Sequence, residues 1–369
     1  MLRPRDEADV AEILADSAGA LEPRAGGSKR DIGRAAQAQP LELAALSGIL
    51  DYEPHELVLS ARAATPLREV RALLREHGQC LAFEPPDWSE LLGTPAEPTL
   101  GGVLASNASG PRRLASGAAR DHFLGFRAVS GAGERFRGGG RVVKNVTGYD
   151  LPKLLAGSWG TLAVLTEVTV RVHPAPETER TLLLALREPQ AALRALGEAL
   201  RSAAGVSGAA FDPQQGALLR LEGFAPSVQA RAEQLLELLR PHEHAWLEDA
   251  RSRERWAQIG SVRALADCAI VWRLCVPPAD AERVLQLLAP QRYLIDWGGA
   301  LLWLGAERCE PERVRGALRG GHALLVKAPH PVRERTAVFQ PLPEPLAALV
   351  ARLKAAFDPQ GRLSPERMR

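Results

Sequence analysis

A chain of 369 residues with 46% hydrophobic and 24% charged residues can bury a large core in more than one unit and reads as globular. Its formal net charge of +2, with basic residues spread evenly, gives nucleic acid no electrostatic handle. Cys80, Cys268, Cys275 and Cys309 include no C-x-x-C spacing, which excludes the usual zinc and iron–sulfur patterns and makes a reduced, cytoplasmic setting the default. The start, "MLRPRDEADVAEILADSAG", is acidic and amphipathic, unlike a signal peptide, and no apolar run approaches the roughly 20 residues that cross a bilayer.

Residues 5–18 read as a helix with Val10, Ile13 and Leu14 on one face. Strand patterns follow at Leu41–Leu46 and Leu57–Ala61. "TPLREVRALLREHG" predicts a helix with Thr65 as N-cap, Pro66 at the first helical position and Gly78 at its end. Glycine-rich segments dominate from Thr99 to Gly160, including a short basic strand from Arg141 to Lys144. Asp150 is placed to cap a helix starting at Leu151, and Gly157 stands at the C′ position, where positive φ suits glycine. From Leu162 the alternation puts Val164, Thr166, Val168, Val170 and Val172 on one strand face. "HPAPETER" at 173–180 marks a boundary.

Beyond it a strand, a helix, two strands and a helix are followed by a similar order, strand–helix–strand–strand–helix–strand, ending with "HALLVKA". This predicts an antiparallel sheet layered with helices. The tail reads as one helix plus a turn. The expected class is α+β, with a glycine-rich domain over 1–175, an α+β domain over 180–338 and a C-terminal helix and tail over 339–369.

Four segments could bring backbone amides to a ligand. In "PRAGGSKRDIG", Gly26 and Gly27 let N–H groups converge, Ser28 offers a hydroxyl and Lys29 a charge, a nest suited to pyrophosphate or simply a surface turn. Small residues crowd 97–125, where Arg112, Arg113 and Arg120 add charge; neither a Walker A loop nor G-x-G-x-x-G is present. Pro85 and Pro86 stiffen "FEPPDW", and "GYDLPKLLAGSWGTL" is the fourth segment. Basic residues are overwhelmingly arginine, yet three of the five lysines, Lys29, Lys144 and Lys153, fall in these motifs.

Together, "RAGGSK", "EPP", "TLGGVLASNASGPRR", "GGRVVKNVTGYDLPKLLAGSWGTLAVLTEV" and "FDPQGRLSP" resemble the vanillyl-alcohol-oxidase-like flavoproteins with a PCMH-type FAD-binding domain. Within them the FAD-binding subunits of bacterial glycolate oxidases are the most similar. The resemblance implies two α+β subdomains with FAD extended between them, and a cap domain facing the flavin. It assigns the pyrophosphate loop to Arg24, Ala25, Gly26, Gly27, Ser28 and Lys29. The second flavin loop falls on Thr99, Leu100, Gly101, Gly102, Ala105, Ser106, Asn107 and Gly110. The third region contributes Gly148, Tyr149, Asp150, Leu151, Gly157, Gly160, Thr161, Leu162, Val164 and Thr166.

No cysteine occurs in a glycine loop, and Ser28 and Lys29 stand where covalent members carry a flavin-linked residue, so noncovalent FAD is expected. The histidine pairs His242/His244, expected as alternate strand residues, and His322/His330 have no evident third ligand, so no metal is expected. Glu84, His122 and Tyr149 are conceivable acid–base groups, none singled out, and Tyr149 also reads as a packing residue against flavin or core. "YLIDWGGALLWLGAE", with Trp297 and Trp303, reads as core strands, the other reading being a partner surface.

The resemblance implies a small 2-hydroxy acid substrate, glycolate, and partners in a second flavin subunit and an iron–sulfur subunit, with any contact at the inner membrane made through them. Two other functions stay open: a stand-alone FAD-dependent 2-hydroxy-acid dehydrogenase, and a flavoprotein subunit serving structure or electron relay.

Overall fold

The computed structural model describes residues 2–34, 37–141, 148–240 and 242–368. Of the basic strand and lysines expected above, Val142 to Lys144 lie outside the described residues.

The first helix, Glu7–Asp16, is capped by Asp6, whose side chain accepts from the Asp9 N–H, and buries Val10 and Leu14. Strands β1 (Leu21–Arg24) and β2 (Gln39–Glu42) pair in parallel. The second is shorter than the pattern suggests, because a turn closed by Leu46 N–H to Leu43 C=O buries both leucines outside it. Strands β3 (Ile49–Glu53), β4 (Val58–Arg62), β6 (Phe123–Ser130), β7 (Arg135–Gly139) and β8 (Ala163–Arg171) form an antiparallel sheet ordered β3-β4-β8-β6-β7. A second two-stranded pair joins β5 (Gln79–Cys80) to β9 (His173–Pro174).

Three local expectations change. The helix Leu67–Glu76 has Pro66 as its N-cap without a side-chain cap. Thr65 instead accepts from Gly48 N–H at 2.9 Å and contacts the Arg62 carbonyl at 2.7 Å, tying the β4 exit to the turn before β3. The segment Leu100–Ser106, expected as loop, is a helix capped by Thr99, whose Oγ1 accepts from Gly102 N–H at 3.3 Å. Its glycines lower helix propensity, but Leu100, Val103 and Leu104 at helical spacing pack into the core and override it. Finally, the β6–β8 register shifts at Thr166, between Glu167 opposite Arg127 and Leu165 opposite Ala128. An extra residue in a strand reverses its faces. Val168, Val170 and Val172 therefore share the main core with Leu165, whereas Val164 joins Val10, Leu14, Leu21 and Leu41 on the other side. Thr166 Oγ1, in the bulge, donates to Glu7 at 2.8 Å.

The β-α-β-β-α-β order occurs in both halves, the first completed by the strand that holds His244. Strands β10 (Thr178–Leu184), β11 (Gly208–Asp212), β12 (Gly216–Gly223) and β13 (His244–Glu248) make one half; β14 (Ile270–Cys275), β15 (Arg292–Asp296), β16 (Leu301–Ala306) and β17 (His322–Lys327) make the other. The single sheet runs β13-β10-β12-β11-β15-β16-β14-β17, so each half has the order fourth, first, third, second. The halves meet where Phe211 pairs with Ile295. Because His242 lies in the turn before β13 and only His244 is in the strand, the two histidines do not alternate on a strand face. The helix Glu344–Phe357 follows, tethered by Lys354 Nζ, which donates to the carbonyls of Thr161 and Leu363 and pairs with Asp358.

The two large sheets are joined by polar contacts. Trp297 Nε1 donates to Gly110 C=O and Trp88 Nε1 to Gly260 C=O, both at 3.1 Å. Arg220, 1% exposed in its side chain, donates to both Glu84 oxygens at 2.8 and 2.9 Å. Arg112 donates from Nε to Glu222 at 3.1 Å and from its backbone N–H to Glu84 at 2.6 Å.

Candidate functional site

The first glycine loop folds where β1 leaves its sheet. At Gly26 a Cβ would stand 1.8 Å from the Glu97 carbonyl oxygen, so the residue is set by protein backbone lying across it. Gly27 and Gly160 have φ of +76° and +72°, values that favour glycine. In the helix Leu100–Ser106, Gly101 lets its first turn lie against Ala63, whose carbonyl oxygen a Cβ would approach to 2.6 Å. These packings bring three distant segments around a cavity of 120 Å³.

Of the residues expected at the cofactor, Arg24, Ala25, Gly26, Gly27, Ser28, Lys29, Thr99, Gly101, Gly102, Ala105, Ser106, Gly160 and Val164 line this cavity. Asn107 and Gly157 line a neighbouring cavity of 790 Å³. The others serve elsewhere. Leu100 and Leu162 are core residues, and Gly110 lies against the Glu84 backbone. Asp150 accepts from Lys153 N–H at the start of the helix Leu151–Leu155, as expected, and Gly157 follows its end at φ +84°. Thr161 donates to the Ser158 carbonyl. Gly148 lines neither cavity, and Tyr149, 89% exposed, packs into no core. Sequence reasoning missed Leu155, Ser158, Trp159 and Arg367, which also line the first cavity. Arg367 lies two residues past the tail motif "FDPQGRLSP", and it reaches the site by donating to the Lys29 carbonyl at 2.8 Å.

Lys29 is the electrostatic centre. It is 8% exposed, and its ammonium makes no ion pair or hydrogen bond among the described residues. The Trp88 ring lies 5.8 Å away. Burial pulls its pKa down to about 8, with Asp87 opposing weakly. A buried, unpaired ammonium on a cavity wall is stabilised by an anion placed there. Among the described residues no histidine, cysteine or tyrosine lines this cavity.

The two cavities share Ser106 and Trp159. Ligand sites for larger molecules hold roughly 300–1,000 Å³, so a dinucleotide would need both. The larger one is closed by the second sheet, through Arg273, Cys275, Trp297, His322 and Leu324.

The candidate acid–base groups lie apart from these walls. Glu84 is engaged by Arg220; burial raises its pKa, but Arg220 and Arg112 outweigh it and leave it at about 2. His122 is buried against Phe83 and His173, with Nε2 2.7 Å from the Ser116 carbonyl. Among the described residues no group of three His, Cys, Asp or Glu side chains is placed to hold a metal.

Comparison with known proteins fits this geometry. An FAD binding domain family matches residues 1–139, the part that carries the first two loops. Glycolate oxidase subunit GlcE of Escherichia coli (strain K12) is 37% identical over 343 residues, covering 92% of this chain and 90% of that protein. The chain belongs to the GlcE family. FAD is therefore its cofactor, and the unpaired Lys29 beside converging backbone suits the pyrophosphate charge. Glycolate oxidase subunit GlcD of Bacillus subtilis (strain 168) is 39% identical over 116 residues, only 31% of this chain and 24% of that protein. Among solved structures, alkyldihydroxyacetonephosphate synthase shares the fold, with a TM-score of 0.69 at 15% identity over 98% of this chain and 76% of that one.

Proposed function

We propose that this chain is an FAD-binding subunit of a multi-subunit glycolate oxidase that oxidises glycolate to glyoxylate. The observation that carries the reading is the buried, unpaired Lys29 on a cavity built by three glycine segments and adjoining a second cavity under the cap. Likeness to GlcE along nearly the whole chain supports it. Residues 1–175 would form the FAD-binding domain, 180–338 the cap and 339–369 the tail, in line with the change of sheet between Pro174 and Thr178.

Bound FAD supplies a two-electron acceptor for oxidation of a CH–OH donor. The backbone of Gly26 to Lys29 and the Lys29 ammonium would hold its diphosphate. Ala105, Ser106 and Gly160 leave room for an extended ligand, and Trp159 forms a wall shared by both cavities. Ser28 and Lys29 stand in the loop where covalent members carry a flavin-linked residue, so the flavin would be held noncovalently. Electrons would leave through a second flavin subunit and an iron–sulfur subunit, and any membrane contact would be theirs; no helix among the described residues is long and apolar enough to cross a membrane.

A second reading, a relay subunit that abstracts no hydride itself, is favoured by Glu84, His122 and Tyr149 all lying away from the cavities' walls. One experiment separates the two. Purified chain should show a flavin spectrum, release its colour on acid precipitation, and bleach when glycolate is added without oxygen. Flavin that stays oxidised under glycolate, but reduces when GlcD-type partners are added, would favour relay. A colourless chain that takes up no added FAD would refute both.

A further inference from the structure

Two arginine clusters straddle the seam between the first 139 residues and the second sheet, Arg112 with Arg220 and Arg113 with Arg273, and only the first is neutralised. Arg112 and Arg220 are matched by Glu84 and Glu222. Arg113 and Arg273 have no such match: among the described residues neither pairs with a carboxylate. Both guanidinium groups lie over the Trp297 ring, 4.5 and 5.1 Å from its centroid. Arg273 also donates to Cys275 Sγ at 3.3 Å, and His322 stands opposite Cys275 across β14 and β17. Arg113, Arg273, Cys275, Trp297 and His322 all line the 790 Å³ cavity, and so does Arg120. Among the described residues no aspartate or glutamate lines it.

Arg120 pairs with Asp121 at 3.7 Å, which leaves Arg113 and Arg273 as two uncompensated arginines on one cavity. Burial lowers the Arg113 pKa and Arg273 lowers it further, as expected of like charges brought together. An anion would offset both the burial and the repulsion. Stacking on Trp297 holds the guanidinium planes in place for two-point contact with a planar carboxylate. The geometry points to a binding site for a small monocarboxylate, of the 2-hydroxy- or 2-oxo-acid class, made by Arg113 and Arg273 on either side of the cleft between the two sheets. The choice of acid class rests on the function proposed above; the anion site itself rests on the unpaired charges alone.

Cys275 provides a built-in probe. Burial raises its pKa, but Arg273, His322 and Arg113 outweigh it and bring the thiol to about 7. Burial pushes the thiols of Cys80, Cys268 and Cys309 up instead. At neutral pH Cys275 is therefore the thiol most ready to displace iodide from an alkylating reagent, forming S–C as C–I breaks. Iodoacetate carries the carboxylate the site would bind; iodoacetamide does not.

The test is the rate of Cys275 modification in the flavin-loaded protein at neutral pH, followed by peptide mass mapping, for the two reagents separately. Relative to a free thiol, the iodoacetate-to-iodoacetamide ratio should rise roughly tenfold, since a positively lined cleft concentrates anions by about 10- to 1,000-fold. Glycolate and acetate should protect Cys275 saturably, and chloride at equal ionic strength should not. Arg113→Gln should lower the ratio without removing the Arg273 contact to Cys275. A ratio equal to that of a free thiol, or protection by chloride as good as by acetate, would overturn the site, and neither measurement needs a variant. Flavin unmoved by glycolate with acetate protection intact would count against the oxidase reading alone. Flavin reduced by glycolate without protection would count against this site alone.

Discussion

Removing Glu84 should loosen the joint between the two sheets, and its cost can be worked from the contacts. Arg220 is 1% exposed, donates to both Glu84 oxygens, and stacks 4.6 Å over Trp256. Around it Arg112 and Arg220 face Glu84 and Glu222, two charges against two. Glu84→Ala leaves three charges, with a guanidinium buried and half-compensated. Breaking a buried pair from one side costs about 3–5 kcal/mol. Unfolding entropy of about 2.1 cal/mol/K per residue over 369 residues is roughly 0.8 kcal/mol/K, so Tm should fall by about 4–6 °C. Urea unfolding followed by tryptophan fluorescence would read the same loss, since Trp256 lies under the pair. In the double variant Glu84→Ala/Arg220→Met, Arg112 and Glu222 are left as a matched pair, and most of the loss should return. The acid limb carries an independent signature. The Glu84 pKa is depressed, so its contribution is full above pH 4.5 and disappears as pH falls toward 2; Glu84→Ala should lack that part of the acid sensitivity. A loss below 1 kcal/mol, or a double variant no more stable than the single, would refute the reasoning.

Gly160→Val forces a β-branched residue to φ +72° and puts its side chain on the wall of the smaller cavity; the ratio of flavin to protein absorbance should collapse while the circular dichroism spectrum is kept. Normal flavin content in that variant would move the cofactor elsewhere. Asp296 is 3% exposed, and burial raises its pKa to about 7 despite the Trp297 N–H it accepts. Because the folded pKa is the higher, a stability penalty develops as pH climbs from about 4 through 7. Asp296→Asn should therefore raise Tm by more at pH 8 than at pH 5, and equal Tm changes at both would count against a neutral Asp296.

Much of the second sheet was legible because its strands and helices are punctuated by Pro and Gly and keep clean periods. The capping of Leu151–Leu155 by Asp150, and Gly157 after it, needed only local rules. The helix Leu100–Ser106 was missed because two glycines mask a Thr99 cap and an i, i+3, i+4 apolar pattern; its burial, not its propensity, holds it helical. The face of Val164 was misread because one extra residue at Thr166 reverses the strand, and a bulge leaves no mark in the alternation.

The sequence by itself determined which segments could approach a phosphate closely, since glycine's missing Cβ and the short helix caps are properties of neighbouring residues. Tertiary structure alone decided what those segments meet. Gly26 answers to the Glu97 carbonyl, and Tyr149 answers to solvent. Arg112 and Arg113, adjacent in the chain, receive opposite fates: one is neutralised by Glu222, and the other faces Arg273 across a cavity with no acid. Charge pairing depends on distances through space between residues more than a hundred positions apart, and no local periodicity encodes those distances.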